Sequence, residues 1–214
     1  TDLVFKKNYD HMIRKSHALN VIETYMAILE CLDIDVNKKW LDVGCGNGLI
    51  ANAVNSKRHT NNQWEIHGCD LQNNKIQVAK NRACRNRFFY QENVLNKLQN
   101  NNLKETEFDI ISMFEFCEHF ADPFSLLKDI SKNNFKIMVI ATPLEQKLNN
   151  INDSSPDPVH LWSFSTNAMI KMLKELDLKI IYHSEIGAGR YTKGLDWLTV
   201  IAAKPEIHVL FEQK

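Results

Sequence analysis

Residues 41–48 read LDVGCGNG, and this glycine-rich stretch decides the expected fold. It follows the apolar, strand-like segment KWLDV (39–43) and precedes a helix predicted over residues 49–55. Gly44, Gly46 and Gly48 have no side chains, so the backbone there can turn sharply and approach a ligand closely. A turn of this composition also occurs without a ligand, so the glycines alone predict a strand-turn-helix unit and leave ligand binding open.

The chain beyond this turn alternates strands and helices. The predicted strands are WEIHGCD (64–70), FFYQEN (88–93), FDIISMF (108–114) and KIMVIAT (136–142), and the predicted helices are NNKIQVAKNRAC (73–84), PFSLLKDISK (123–132) and STNAMIKMLKELD (165–177). Such alternation is typical of a parallel sheet with helices on both faces. The segments LKIIYHSEI (178–186) and DWLTVIAAK (196–204) are close enough in sequence to pair as an antiparallel hairpin at the edge of the sheet. The expected fold is therefore α/β.

Length and charge indicate one domain and disfavour a highly charged partner. The 214 residues, 44% of them hydrophobic, suit a single domain over residues 1–214. Within it we expect an N-terminal helical cap (1–32), because apolar residues recur there at helical spacing, and a core (33–204). Lys plus Arg equals Asp plus Glu at 26 each, so no long-range field attracts nucleic acid or an anionic membrane. This balance disfavours nucleic acid and membranes as partners without excluding a local basic patch, and the oligomeric state is open.

Cysteine usage favours a reducing compartment. The five cysteines are odd in number, include no C-x-x-C pair, and mostly lie in apolar segments, where packed thiols are common. The chain has no apolar run of roughly 18 residues and no charged-then-apolar leader. We therefore expect a cytoplasmic protein without membrane association.

Asp70 is a second indication of a ligand. It ends the predicted strand that follows the glycine turn, a position from which a carboxylate accepts hydrogen bonds from ribose hydroxyls. The turn reads G-x-G-x-G after Asp42, unlike the G-x-G-x-x-G of dinucleotide sites, and it contains no Lys to hold a phosphate. Together these features predict a nucleoside site.

These residues resemble the motifs of class I S-adenosylmethionine-dependent methyltransferases, in motif order from Lys39 to Lys204. The resemblance implies a Rossmann-like, seven-stranded sheet and S-adenosylmethionine as the cofactor. It also implies that Asp42 lies along the methionine part, that Asp70 holds the ribose and that Leu71 flanks the adenine. Asn93 stands where the family often has an acid, so the chain departs from the pattern there. The full set of implied cofactor-binding residues is Asp42, Gly44, Cys45, Gly46, Gly48, Asp70, Leu71, Asn93, Val94 and Phe114.

A group of ionisable residues follows the predicted strand 108–114. Ligands bind beyond the carboxyl ends of parallel strands, so we expect Glu115 beside the cofactor. If the chain turns helical there, Glu115, Glu118 and His119 share one helical face. Crowded acids repel one another unless a positive group lies among them, and a divalent cation would supply it. Alternatively, the acids only favour the N-terminal end of a short helix, and His119 packs at the pocket wall.

The segment MFEFCEHFADP (113–123) resembles its counterpart in the ubiquinone-biosynthesis O-methyltransferases. Its E-x-x-E-H string also resembles the metal-ligand motif of the small-RNA 3′-terminal 2′-O-methyltransferases. The resemblance implies a divalent ion, Mg, Mn or Zn, held by Glu115, Glu118, His119 and His160. It makes Glu115, His119 and His160 the candidate catalytic residues, either as ligands or as proton acceptors. Small-molecule methyltransferases without a metal also have a similar histidine before the helix predicted here over residues 165–177. His160 is therefore interpreted either as a metal ligand or as a residue of a metal-free site.

The predicted function is S-adenosylmethionine-dependent O-methylation of a small metabolite or of a sugar-containing or phosphorylated intermediate. One alternative is RNA 3′-terminal 2′-O-methylation, which the zero net charge disfavours. Another is a non-catalytic, cofactor-binding regulatory subunit, which the retained Glu and His residues disfavour. The loop 187–194, with its glycines, Arg190 and Tyr191, is interpreted either as a mobile loop that reaches the substrate or as a plain hairpin connection.

Overall fold

The computed structural model describes residues 39–51, 64–83, 86–93, 108–144, 161–185 and 197–207. The predicted N-terminal cap (1–32), Val94, His160 and the loop 187–194 lie outside the described residues. Within the described ranges, no helix combines the length and the apolar character needed to cross a membrane.

The described strands form one seven-stranded sheet in the order β3-β2-β1-β4-β5-β7-β6. The strands are β1 (Lys39–Val43), β2 (Glu65–Asp70), β3 (Arg87–Gln91), β4 (Phe108–Phe114), β5 (Phe135–Pro143), β6 (Lys179–Ser184) and β7 (Trp197–Ala203). Strands β1 to β5 are parallel, and β7 runs antiparallel to both β5 and β6. The predicted Rossmann-like sheet with an antiparallel C-terminal edge is confirmed.

Two helices of the described part begin at side-chain caps. The named helices are α1 (Asn73–Asn81), α2 (Pro123–Ser131) and α3 (Thr166–Glu175), with a short 3₁₀ helix at Cys117–His119. At the start of α2, the carboxylate of Asp122 accepts a hydrogen bond from the backbone N–H of Ser125 at 2.9 Å. At the start of α3, the hydroxyl of Ser165 accepts one from the backbone N–H of Ala168 at 3.3 Å. These side chains satisfy amides that the helices leave unpaired, which explains where both helices begin.

Both faces of the sheet are buried, as near-continuous apolar strands predict. In β4, Ile110 belongs to a cluster on one face together with Ile76 of α1. The next residue, Ile111, belongs to the opposite cluster, together with Leu127 of α2 and Leu173 of α3. Successive strand residues point to opposite faces, so a single strand supplies side chains to both layers of the core.

The strand order places a ligand crevice between β1 and β4. Residue pairs show that β1 lies between β2 and β4, so the direction of strand progression reverses at β1. In open α/β sheets, ligands bind outside the carboxyl ends of the strands at such a reversal. The glycine turn after β1 and Glu115 after β4 therefore share one edge of the sheet.

Candidate active site

The three glycines after β1 have different neighbours. Gly44, Gly46 and Gly48 all have positive φ, at 72°, 54° and 73°, a conformation that side chains disfavour. A Cβ on Gly44 would lie 2.2 Å from Cδ2 of Phe116, and one on Gly48 would lie 2.8 Å from Cζ of Phe89. A Cβ on Gly46 would meet no atom closer than 4.0 Å. Gly44 and Gly48 thus permit close packing, whereas a Cβ on Gly46 would only reach van der Waals contact with Cδ of Lys75, at 4.0 Å.

Asp70 joins the glycine turn to the end of β2. Its Oδ2 accepts a hydrogen bond from the backbone N–H of Gly46 at 3.0 Å, and its Oδ1 accepts one from that of Gln72 at 2.8 Å. The carbonyl of Cys69 also accepts from the N–H groups of Gly44 and Cys45, at 2.9 Å and 3.0 Å. An ionised carboxylate has about four acceptor positions, so Asp70 can accept further hydrogen bonds from a ligand. Its contact with a ribose stays a prediction.

The other predicted cofactor residues surround the same edge. Leu71 exposes most of its side chain, while Asn93 and Phe114 are half-buried just beyond β3 and at the end of β4. The side chain of Cys45 is buried, and burial raises the pKa of its thiol, with the charge of Asp42 adding to the effect. Cys45 therefore packs as a neutral thiol, and it contributes its backbone to the glycine turn.

Asp42 is buried in a hydrogen-bonded chain between β1 and β4. The indole N–H of Trp40 donates to the hydroxyl oxygen of Ser112 at 2.7 Å, and that hydroxyl donates to Oδ1 of Asp42 at 2.7 Å. Burial raises the pKa of Asp42 from 3.8 to about 7; the hydrogen bond from Ser112 opposes the shift, and the nearby charge of Asp70 adds to it. Sequence analysis missed Ser112, which was detectable only as a polar residue within an apolar strand.

The stability of the fold should depend on pH through Asp42. Because the folded-state pKa of about 7 lies above the ordinary 3.8, the folded protein binds this proton more tightly. The resulting stability is fully present below pH 4 and is lost as the pH rises towards 7. At pH 8, Asp42→Asn should raise the free energy of unfolding by up to about 4 kcal/mol, since the amide carries no charge to desolvate. Urea denaturation at pH 4 and pH 8 checks this; an equal effect at both pH values would contradict it.

The chain does not turn helical at Glu115, so the expected shared helical face of Glu115, Glu118 and His119 does not form. Glu115 has a φ of 49° and lies before the 3₁₀ helix that contains Glu118 and His119. A left-handed residue at this point breaks the helical periodicity that would align the three side chains. Glu115 is exposed, Glu118 is fully buried and His119 is half-buried. The backbone N–H of Glu115 donates to the carbonyl of Ala141 at 2.8 Å, which holds the turn against β5.

Glu118 connects three parts of the chain in the core. Its Oε2 accepts a hydrogen bond from the hydroxyl of Thr142, at the end of β5, at 3.0 Å. Its backbone carbonyl accepts from the N–H groups of Leu161 and Trp162, at 2.9 Å and 3.2 Å. The turn after β4, the end of β5 and the segment before α3 therefore form one hydrogen-bonded unit around Glu118.

The predicted metal ligands are not brought together in the described part of the chain. Within those ranges, no group of three His, Cys, Asp or Glu residues is placed to hold a metal ion. Glu118 lies in the core, and His160 falls outside the described residues. Glu115 and His119 do lie beyond the carboxyl end of β4, at the edge of the sheet where ligands bind. Their catalytic roles remain predictions.

Comparison with known proteins identifies the family. A family model described as a methyltransferase domain matches residues 34–189, which include the glycine turn and Asp70. The chain belongs to the class I S-adenosylmethionine-dependent methyltransferases. This methyltransferase domain has the seven-stranded sheet with an antiparallel edge and the glycine turn that the sequence motifs imply.

Individual relatives match the methyltransferase domain in part. The ubiquinone biosynthesis O-methyltransferase of Haemophilus ducreyi is 30% identical over 95 residues, which are 42% of this chain and 38% of that protein. The protein of the same description from Actinobacillus pleuropneumoniae serotype 5b is 32% identical over 95 residues, with the same 42% and 38% coverage. The match thus spans under half the length of either relative.

A solved structure agrees over more of the chain. Magnesium protoporphyrin IX methyltransferase from Synechocystis PCC 6803, with bound SAH, is 13% identical and covers 90% of this chain and 85% of its own, with a TM-score of 0.67. At this identity the likeness shows the fold of the methyltransferase domain.

The described residues fit S-adenosylmethionine. A carboxylate with acceptor capacity ends β2, an exposed apolar side chain follows it, and a Cβ on Gly46 would meet no atom closer than Cδ of Lys75, at 4.0 Å. These features match the ribose, one face of the adenine and the methionine part of the cofactor, in that order.

Proposed function

We propose that the chain is an S-adenosylmethionine-dependent O-methyltransferase of a small metabolite that carries a hydroxyl or phosphate oxygen. The observation that carries the proposal is the carboxylate of Asp70, oriented by Gly46 and Gln72 beside the glycine turn in a chain of this family. Transfer to oxygen is supported by the activity named for the relatives that match 42% of the chain.

Each residue of the site contacts a different part of the cofactor in this proposal. Asp70 accepts from ribose hydroxyls with its remaining acceptor positions, and Leu71 lies against the adenine face. Gly46 leaves room for the methionine part of the cofactor, because the position of its missing Cβ has no atom closer than 4.0 Å. Asp42 lies under this turn as a buried acid, so its protonation sets the local charge.

The residues at the end of β4 would position the acceptor and take its proton. When bound, S-adenosylmethionine supplies a sulfonium methyl group, and its transfer to oxygen leaves S-adenosylhomocysteine and one proton from the hydroxyl. Glu115 is exposed there on a backbone that is hydrogen-bonded to β5, and His119 follows, half-buried. Carboxylates and neutral imidazoles accept protons at neutral pH, so either side chain can act as the general base.

Calorimetric titration of S-adenosylmethionine into chelator-treated protein is the first test of this proposal. We expect one-to-one binding, with ATP and NAD as non-binding controls. Release of S-adenosylhomocysteine is then measured with hydroxyl and phosphate acceptors, with chelator and with Mg²⁺, Mn²⁺ or Zn²⁺. A chelator-insensitive rate that falls in His119→Gln or Glu115→Gln would identify the base, whereas a rate restored only by an ion would support ligation.

Three outcomes would replace the proposal. Failure to bind S-adenosylmethionine would remove the cofactor assignment. Methylation of an RNA 3′-terminal 2′-hydroxyl in preference to small acceptors would favour the RNA alternative. Tight binding of the cofactor without turnover on any acceptor would favour a non-catalytic subunit.

A further inference from the structure

The buried polar chain from Trp40 through Ser112 to Asp42 leads from the core to the glycine turn. Asp42 and Ser112 are paired in register across β1 and β4, and all three side chains are buried. Trp40 belongs to the apolar cluster on the face of the sheet that α1 covers. Residues two apart in a strand share a face, so Asp42 lies on this face too. Val43 alone separates Asp42 from Gly44, so the chain ends at the proposed cofactor site.

The direction of the two hydrogen bonds follows from their donors. The indole nitrogen of Trp40 can only donate, so it occupies a lone pair of the Ser112 hydroxyl, at 2.7 Å. The hydroxyl keeps its hydrogen for Oδ1 of Asp42, also at 2.7 Å. A hydrogen bond donated to a carboxylate favours its ionised form. The chain therefore supports a negative charge on Asp42 at a place where burial opposes one.

The surroundings of Asp42 leave it close to the point of ionisation at neutral pH. Burial raises the pKa of Asp42 to about 7; the hydrogen bond from Ser112 opposes this rise, and the charge of Asp70 at the end of β2 adds to it. Further titratable residues lie on the neighbouring elements, namely Cys45 in the glycine turn, Cys69 in β2, Lys75 in α1 and Glu115 after β4. A positive ligand group at the turn can therefore draw the proton off Asp42 near neutral pH.

S-adenosylmethionine brings such positive groups. Its methionine part, which the proposed site places at Gly46, carries a sulfonium and an ammonium, and both favour an ionised carboxylate nearby. Binding thus lowers the pKa of Asp42, and the proton leaves to the solvent. A ligand that releases a proton binds more tightly as the pH rises, until the free protein has lost that proton by itself. The affinity should therefore rise with pH towards 7 and level off above it.

We propose that Ser112, held by Trp40, is a positioning residue for the cofactor, and that S-adenosylmethionine binds with release of the Asp42 proton to the solvent. This inference rests on the cofactor assignment in the proposed function. Ser112 is fully buried, so it acts through Asp42. The free protein is spared part of the cost of a buried charge near neutral pH, and the charge forms when the cofactor arrives to pair with it.

Calorimetric titration of S-adenosylmethionine, between about pH 5.5 and pH 9 and in buffers of different ionisation enthalpy, measures affinity and proton release together. The unchanged protein should gain up to about tenfold in affinity per pH unit below pH 7. Ser112→Ala should move this rise upwards by about 1–2 pH units, because it removes a hydrogen bond that favours the charged form. Its affinity should be about 5–50-fold weaker at pH 7 and within about 3-fold at pH 9.

Three further variants serve as controls. Ser112→Thr keeps the hydroxyl and should keep the pH profile. Asp42→Asn has no proton to release, so its binding should release up to about one proton fewer than that of the unchanged protein. The ammonium of the ligand also titrates in this range, but it contributes equally in every variant. Ser131→Ala removes a hydroxyl at the end of α2, at the opposite edge of the sheet, and should change neither affinity nor profile.

Two results would overturn this inference. One is a pH profile of Ser112→Ala that is unchanged or lowered equally at every pH, as a purely structural role would give. The other is equal proton release by Asp42→Asn and the unchanged protein. If Ser112→Ala does not fold, Trp40→Phe replaces it, because it removes the group that orients the hydroxyl; a smaller shift in the same direction is expected. Failure of the unchanged protein to bind S-adenosylmethionine at any of these pH values would instead overturn the proposed function.

Discussion

Gly44→Ala is expected to lower the free energy of unfolding by about 2–5 kcal/mol. A side chain at a φ of 72° costs about 1–2 kcal/mol in backbone strain. The new Cβ would also lie 2.2 Å, 2.8 Å and 3.0 Å from three ring carbons of Phe116, and such overpacking costs about 1–3 kcal/mol. The ring cannot move away freely, because it also packs against Phe120 at 4.7 Å between centroids. Urea denaturation measures the loss.

Gly46→Ala provides the matched control for this prediction. Its φ of 54° imposes a similar backbone strain, but its Cβ would meet no atom closer than 4.0 Å. We expect a loss of about 1–2 kcal/mol in stability and a larger effect on cofactor affinity, since the methyl group enters the proposed site. In a double variant, Phe116→Ala should recover part of the stability that Gly44→Ala loses. It should recover none of the stability that Gly46→Ala loses. Equal losses in the two glycine variants would show that the contact with Phe116 does not matter.

Asp70→Ala is expected to raise the dissociation constant for S-adenosylmethionine by about 10–100-fold or more. Each hydrogen bond between the carboxylate and a ribose hydroxyl contributes about 1.5–3 kcal/mol, and tenfold in affinity corresponds to about 1.4 kcal/mol. The substitution also removes the acceptor for the backbone N–H groups of Gly46 and Gln72, so the glycine turn loses the hydrogen bond that orients it. Asp70→Asn keeps one acceptor oxygen and a similar shape, so it should have the smaller effect.

Asp109→Asn controls for the loss of one negative charge. Asp109 lies near the amino end of β4, at the opposite edge of the sheet from the site, where it pairs with Lys136. Calorimetry should find its S-adenosylmethionine affinity within about 2-fold of the unchanged protein, because Asp109 lies at the opposite edge of the sheet and salt screens long-range charge interactions. An Asp70→Ala variant with unchanged affinity would contradict the ribose assignment.

The agreement between sequence and structure is best within single elements. Apolar runs, alternation and cap residues predicted all seven strands and the starts of α2 and α3 to within about two residues, because these patterns reflect local burial and local hydrogen bonding. The predicted helix 73–84 ends earlier, at Asn81. Element ends depend on weak local preferences.

The sequence by itself determined the α/β class, the glycine turn and the place of Asp70, because strand periodicity and glycine spacing act through neighbouring residues. Only the tertiary structure decided what the residues after β4 do. The left-handed φ of Glu115 ends the helical spacing that E-x-x-E-H suggests, and the contact with Thr142 draws Glu118 into the core. It also decided that Asp42 meets Ser112, 70 residues away. Such contacts depend on which strands become neighbours in the sheet. A pattern of residues along the sequence does not specify which distant strands pair.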